Sequence, residues 1–147
     1  TNTFTPVTVF GSTQVEITGM NNHGDLVGQV GVVNEAGEEE WAFLKQGGED
    51  HVLRDPDGQP TIIPHGINDH GVIVGALMND AGFVYDTVTG VFQEIRHPSR
   101  VEGFSTYVAE IDNKGRLVAV NQRLSDGYTE SWWLRPVSSA NMAALPE

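Results

Sequence analysis

A ten-residue pattern occurs three times in this chain and constrains its fold more than any other feature. The clearest copy is residues 66–75, Gly-Ile-Asn-Asp-His-Gly-Val-Ile-Val-Gly, and the others are residues 19–28 and 110–119. Corresponding residues lie 47 positions apart between the first and second copies and 44 between the second and third. Periods of this length are typical of repeat arrays such as β-propellers, so the sequence predicts three copies of one structural unit.

Each copy has the chemistry of a β-hairpin turn. Short apolar runs flank a polar centre that ends in glycine, which takes a positive φ without a Cβ clash, while Asn or Asp closes the turn through its own side chain. The predicted turn residues are Asn21, Asn22, Gly24, Asn68, Asp69, Gly71, Asp112, Asn113 and Gly115.

The remainder of the chain continues this all-β pattern, with no sustained helical period. We predict three propeller-like blades of four short antiparallel strands, about twelve strands in all. A polar loop is expected over residues 34–40. The predicted β domain is 1–137, with repeats over about 3–47, 48–90 and 91–136, and residues 138–147 form a flexible tail.

The strands are predicted to follow a d-abc order, where a and b flank each motif. Residues 4–10 form the first d strand and residues 132–134 the last c strand, an arrangement that propellers use to complete a sheet at the opposite terminus. Propellers have about four to eight blades, so three blades imply a two-chain ring, an open array or strand donation to a neighbour. The predicted strand-exchange residues are Phe4, Val7, Val9, Trp133 and Leu134.

The charge of the chain restricts its partners. Eight basic and 20 acidic residues give a formal net charge of −12, which repels nucleic acid phosphates and anionic lipid surfaces. There is no cysteine, which excludes disulfides and thiolate metal sites. No apolar run approaches a membrane span of about 20 residues, so no membrane insertion is predicted. The chain begins with Thr1, as a processed or trimmed N-terminus would.

The motif, followed by an Ala/Gly-Phe-Leu strand and a Phe-X-X-Val strand, resembles the bacterial HAF-type extracellular repeat over residues 3–136. That resemblance implies a β-propeller-like fold, export to an extracellular or cell-surface location, and no catalytic residues. The third copy departs from the pattern, because Glu110 and Ala119 replace glycines. The last two residues, Pro146 and Glu147, resemble the start of a Pro-Glu-Pro sorting signal, with an ordinary terminus as the alternative.

The sequence predicts neither a histidine metal site, nor a calcium site, nor a hydrolytic site. His23 and His70 share a motif position, but the third copy has Lys114 there, and a metal site needs three or more converging ligands. The Asn and Asp turn oxygens are of the type that calcium takes, yet turn chemistry already explains them, so no cofactor is predicted. No Gly-X-Ser-X-Gly elbow occurs, and the carboxylates of residues 38–40 are expected to lie in a solvated loop.

The aromatic residues provide the remaining candidates. Phe43, Phe83 and Trp133 are predicted to fill one equivalent core position, with Trp41 and Trp132 on the opposite face of their strands. Exposed aromatic rings serve either sugar stacking or a protein interface. The candidate ligand or interface residues are Trp41, Trp132, Tyr85 and Tyr128.

The sequence therefore predicts a noncatalytic, exported β-repeat protein that acts as a structural or interaction module. It is expected to self-associate through its terminal strands. The alternatives are a carbohydrate-binding module that recognises an extracellular glycan and an unrecognised hydrolase.

Overall fold

The computed structural model describes residues 2–97 and 102–134. These residues form eleven β-strands, and they contain no helix long and apolar enough to cross a membrane. The predicted all-β class is confirmed. The predicted tail over residues 138–147 lies outside the described residues.

The strands form three antiparallel sheets that follow one another along the chain. The first sheet contains β1 (Val15–Met20), β2 (Leu26–Asn34), β3 (Gly37–Gln46) and β4 (Glu49–Val52). The second contains β5 (Ile62–Ile67), β6 (Val72–Leu77), β7 (Gly82–Asp86) and β8 (Phe92–Ile95). The third contains β9 (Phe104–Ile111), β10 (Leu117–Arg123) and β11 (Thr129–Leu134).

In each of the first two sheets the d strand pairs with the c strand that precedes it in the chain, whereas no d strand pairs with the last c strand among the described residues. β4 lies beside β3, and β8 lies beside β7. Gly47 and Gly48, with φ values of 58° and 88°, join β3 to β4 in a two-residue turn. Such a turn reverses the chain at once and makes β4 the hairpin partner of β3.

The predicted strand over residues 4–10 is absent. Residues 2–8 have no regular structure, and the segment makes one isolated bridge, between Val9 and Ser12. Val9 is fully buried against Val30 and Phe43 of the first sheet. The segment therefore contributes a core residue to a sheet face instead of pairing along a sheet edge.

The predicted polar loop over residues 34–40 is largely strand. β2 and β3 pair as far as Asn34 and Gly37, so Glu38, Glu39 and Glu40 belong to β3. The Asn34 side chain accepts a hydrogen bond from the main-chain N–H of Ala36 (2.8 Å) and closes the short turn. Because the turn occupies only the residues between Asn34 and Gly37, the three glutamates after it lie in the hairpin strand and not in a loop.

The three sheets pack face to face in chain order. We call the face of a sheet that looks toward the next sheet its forward face, and the opposite face its rear face. The forward face of the first sheet packs against the rear face of the second through a cluster that includes Val27, Leu44, Ile73 and Phe83. The forward face of the second sheet packs against the rear face of the third through Val74, Val84, Val108 and Leu117, among others.

The strand pairing in the third sheet assigns the predicted core position of Trp133 to a different residue. Phe43 lies opposite Gly28, and Phe83 lies opposite Gly75. In the third sheet the residue opposite Ala119 is Trp132. Trp132, and not Trp133, is therefore the counterpart of the two phenylalanines. Trp133 points to the other face and is 75% exposed, whereas both phenylalanines are fully buried.

Candidate interaction site

The turn of each repeat is closed by the first Asn or Asp of its motif. The Asn68 Oδ1 atom accepts hydrogen bonds from the main-chain N–H groups of His70 and Val72, each at 3.0 Å. Asn21 and Asp112 do the same in their own turns. Gly24, Gly71 and Gly115 follow with φ values of 74–81°. The nine predicted turn residues thus lie in three turns of one geometry.

The same turn residues connect neighbouring sheets. The Asn21 Nδ2 atom donates to the main-chain carbonyl of Asn68 (3.2 Å), and Asn68 Nδ2 donates to that of Asp112 (3.1 Å). Both asparagines are buried. These bonds span 47 and 44 residues, the two offsets of the sequence repeat. Equivalent turns are therefore stacked directly on one another.

A second row of bonds lies outside the first. Asp69 accepts hydrogen bonds from the side chain and main-chain N–H of Asn22, both at 2.8 Å, and from Asn113 Nδ2 at 2.7 Å. Its own N–H donates to Asn113 Oδ1 (2.8 Å). The hydrogen bonds from Asn22 lower the pKa of the Asp69 carboxyl, with smaller contributions from His23 and Asn113. Asp69 is therefore the acceptor that holds all three turns together.

A third row comes from β-bulges just before the motif glycines. The register shifts between Ile17 and Gly19 in the first sheet and between Pro64 and Gly66 in the second. The bulged Thr18 donates to the main-chain carbonyl of Pro64 at 2.7 Å. His65 contacts the carbonyl of Val108 through Nδ1 at 2.9 Å. Thr18 and His65 were not among the predicted site residues, since a bulge shows in sequence only as a polar residue before a strand glycine.

The N-terminal segment is fixed to the rear face of the first sheet. Phe10 packs edge-on against Trp41, with ring centroids 5.9 Å apart. Its main-chain N–H donates to Asp50 Oδ2 (2.8 Å), and Lys45 bonds both Asp50 and the carbonyl of Thr8. Lys45, together with the Phe10 N–H, lowers the pKa of the Asp50 carboxyl. Trp41 is half-buried, with Phe10 against its ring, and its Nε1 donates to Glu39.

The third sheet and the turn before β11 carry three exposed aromatic residues. Trp133 is 75% exposed, Tyr128 50% and Trp132 45%. Trp132 contacts the ring of His97, with centroids 4.8 Å apart. The Arg123 guanidinium lies over the ring of Tyr128, 5.0 Å from its centroid. Trp132 and Trp133 thus lie on opposite faces of β11, and Tyr128 directly precedes this strand.

The other predicted candidates lie elsewhere. Tyr85 is half-buried and packs against the core between the first and second sheets, beside Phe92. Leu134 packs against the core between the second and third sheets. Val9 is buried, while Phe4 is 91% exposed and Val7 37%. Of the predicted strand-exchange residues, Phe4, Val7 and Trp133 are therefore exposed, and Val9 belongs to the first sheet of its own chain.

The polar clusters of the described residues do not form a ligand set. Nowhere in 2–97 and 102–134 do three or more His, Asp or Glu side chains converge as metal ligands would. A groove of about 620 Å³ lies on the forward face of the first sheet, lined by residues that include Glu16, Glu38 and Glu40. No protein-family model, curated protein or solved structure matches this chain.

Proposed function

We propose that this protein is a noncatalytic, exported interaction module that associates with copies of itself. In this proposal, residues 2–8 of one copy add as a strand to the outer edge of β11 in another. The three sheets act as propeller-like blades. The proposal of export rests on the resemblance of the motif to HAF-type extracellular repeats. The observation that carries the association is that, among the described residues, no strand pairs with the outer edge of β11.

The third sheet lacks the fourth strand that the other two sheets have in the described part of the chain. β3 is covered at its outer edge by β4, and β7 by β8. β11 occupies the corresponding position in the third sheet, where its one partner among the described strands is β10. An uncovered edge presents a row of unpaired N–H and C=O groups, which is a template for adding a strand from another chain.

Residues 2–8 have the properties of the added strand. They have no regular structure, and they carry the exposed side chains of Phe4 and Val7. An irregular segment with exposed apolar side chains gains hydrogen bonds and burial when it pairs along an edge. Trp132 and Trp133 project from opposite faces of β11, so either face of the added strand would meet an aromatic ring.

The segment reaches β11 only in a second copy. It leaves the rear face of the first sheet at Val9, and the second sheet lies between that face and the third sheet. Stacked sheets are about 10 Å apart, and seven extended residues span about 23 Å. Passing two sheets uses about 20 Å of that length, which leaves too few residues to pair with the six residues of β11.

Light scattering behind a sizing column tests this proposal with the full chain. We expect a species of twice 16.0 kDa or larger. Deleting residues 2–8, which leaves Val9 and Phe10 in place, should reduce it to the monomer, and Trp133→Ser should weaken it at least tenfold. Val33→Ser is the matched control, since Val33 is 77% exposed on the first sheet. A monomer from the intact chain, or an unchanged mass after the deletion, would contradict the proposal.

Carbohydrate binding is the second candidate, and the exposed ring of Trp133 favours it. Trp133 lies on the forward face of the third sheet in register with Val118, and an exposed indole face can stack on a sugar ring. Trp41 is less suited because Phe10 and Glu39 already occupy it. A glycan array with the natural chain and with Trp133→Ser separates the two candidates, because only the second predicts a bound glycan that the variant loses.

A further inference from the structure

Besides the row of bonds around Asp69, three further kinds of contact hold a sheet to the one after it. The bulged residue bonds a carbonyl of the next sheet (Thr18 and His65). The first turn asparagine does the same through Nδ2 (Asn21 and Asn68). Between the first two sheets, the motif glycine also permits close approach of the main chains, since a Cβ on Gly19 would lie 2.8 Å from the Cα of Gly66. In every case the earlier repeat supplies the donor or the space.

The third repeat has lost all three of these features. Ala109 stands at the bulge, where the first two repeats have Thr18 and His65, and it has no side-chain donor. Glu110 stands where they have glycine, and Asp112 where they have asparagine. An aspartate still closes its own turn, but ionised it only accepts hydrogen bonds. Its second oxygen is taken by Arg116, at 2.6 Å.

The changes at Ala109 and Asp112 affect only contacts toward a following sheet, whereas the Glu110 carboxylate lies beside Gly66 of the second sheet. Asp112 still offers its carbonyl to Asn68, and Val108 still offers its carbonyl to His65. Through these two carbonyls the third repeat receives the second sheet in the same way as the second receives the first. It lacks the two donors that would bond a fourth sheet. Terminal repeats of an array typically depart from the consensus in this manner.

The other end of the stack is covered by the N-terminal segment. In the second and third sheets, the rear face is covered by the preceding sheet. In the first sheet, Val9 and Phe10 take that place, packed against Phe43 and Trp41. Both surfaces by which another sheet could extend the stack are thus changed within this chain.

We propose that the stack terminates itself at both ends, so that no further sheet of this type is added to either face. Where copies associate as proposed above, they meet at the edge of β11 and not face to face, which excludes a six-sheet ring made by continuing the stack across two chains. That second statement rests on the proposed function. The first does not, because it concerns the packing of sheets within one chain.

Repeat duplication tests the termination directly. One variant inserts a second copy of residues 54–97 after His97, which gives four sheets in the order 1-2-2-3. The other inserts a second copy of residues 96–134 after Leu134, which gives 1-2-3-3. Native-state hydrogen exchange then reports the protection of each sheet. We expect all four sheets to be protected in the first variant, and the last sheet of the second variant to exchange at least a hundredfold faster.

A rescue variant separates termination from a poor linker or failed folding. Ala109→Thr, Glu110→Gly and Asp112→Asn, placed together in the inner third repeat of 1-2-3-3, should return protection to the last sheet. Equal protection in the two unrescued variants would overturn the proposal, as would a rescue variant no better than its parent. Neither result depends on the mass of the natural chain, so termination and self-association can fail separately.

Discussion

The side-chain amide of Asn68 donates a hydrogen bond to the main-chain carbonyl of Asp112, 44 residues further along the chain and 3.1 Å away. Asn68 is 4% exposed, and its bond to Asp112 is partly buried. Asn21 makes the same bond to Asn68. One residue type at one position thus closes its own turn through Oδ1 and fixes the next sheet through Nδ2.

Asn68→Asp should separate these two roles. The aspartate keeps the acceptor that closes the turn. It also places a carboxylate against the carbonyl of Asp112, so two acceptors repel each other where a hydrogen bond was. We expect a loss of about 1–3 kcal/mol in the free energy of unfolding, measured by urea denaturation. The control is Asp112→Asn, which adds a donor where the described residues place no further sheet, and it should change stability by less than about 1 kcal/mol. Equal losses from both changes would contradict the directional role.

Gly19→Ala should destabilise the contact between the first and second sheets. The added Cβ would lie 2.8 Å from Gly66 Cα and 3.2 Å from the Ile67 nitrogen, which are backbone atoms that cannot rotate away. Overpacking of this kind costs about 1–3 kcal/mol. Gly31→Ala is the matched control, because its Cβ would meet the end of the flexible Gln14 side chain. Thermal unfolding of both variants should show the larger decrease for Gly19→Ala, and the reverse order would refute this account.

Val9→Ala should uncover part of the rear face of the first sheet. Val9 is fully buried against Phe43 and Val30, and removing two buried methyl groups costs about 1–3 kcal/mol. Val7→Ala, two residues earlier and 37% exposed, should cost less than about 0.5 kcal/mol. Denaturant midpoints for the two variants test whether the part of the N-terminal segment that covers the rear face of the first sheet begins at Val9. Similar midpoints would mean that the segment contributes no specific packing.

Acid should weaken the outer row of bonds around Asp69. Its pKa is lowered from the ordinary value of 3.8, chiefly by the hydrogen bonds from Asn22. A carboxyl whose pKa is lowered on folding adds stability above its unfolded value, and the contribution is lost as the pH falls through the folded value. Asp69→Asn should therefore be less stable than the natural chain at pH 7, and the difference should shrink as the pH falls below 3.8. A difference that stays constant between pH 7 and pH 2, measured beside Asp57→Asn, would argue against an electrostatic origin.

Ile17→Lys tests the face-to-face alternative for self-association. Ile17 lies on the rear face of the first sheet and is 42% exposed. A lysine there would disrupt a sheet stacked on that face but would not reach the edge of β11. Light scattering should give the mass of the natural chain, in contrast to Trp133→Ser. If Ile17→Lys instead produced the monomer, copies would associate through their sheet faces.

Local chemistry was enough to predict the repeats and their turns. Asn68 and Gly71 fix a turn by hydrogen bonding and by φ, and both effects act within five residues of sequence. The all-β class followed from the same short-range signals. The partners of those turns were not predictable in this way, because the bond from Asn68 to Asp112 depends on which turns stack.

Errors arose where tertiary packing decides between two local possibilities. Val9 lies in a run of β-branched residues that favours a strand, yet its burial against Phe43 holds the segment on a sheet face. Trp133 and Trp132 are adjacent, so a one-residue difference in register exchanges the faces they occupy. Only the pairing of Ala119 with Trp132 resolves that choice.

The bulge and turn bonds have a mechanical consequence for the first two sheets. In the described part of the chain, the hydrogen bonds from Thr18, Asn21 and Asn22 to the second sheet all lie near the turn that follows β1. Away from that corner, side chains such as Leu44 and Phe83 hold the two sheets by apolar contact alone. Apolar contacts are non-directional and tolerate sliding, whereas hydrogen bonds fix distance and angle. Any relative rotation of the two sheets would therefore pivot about the Asn21 corner, with the long β2–β3 hairpin sweeping the widest arc.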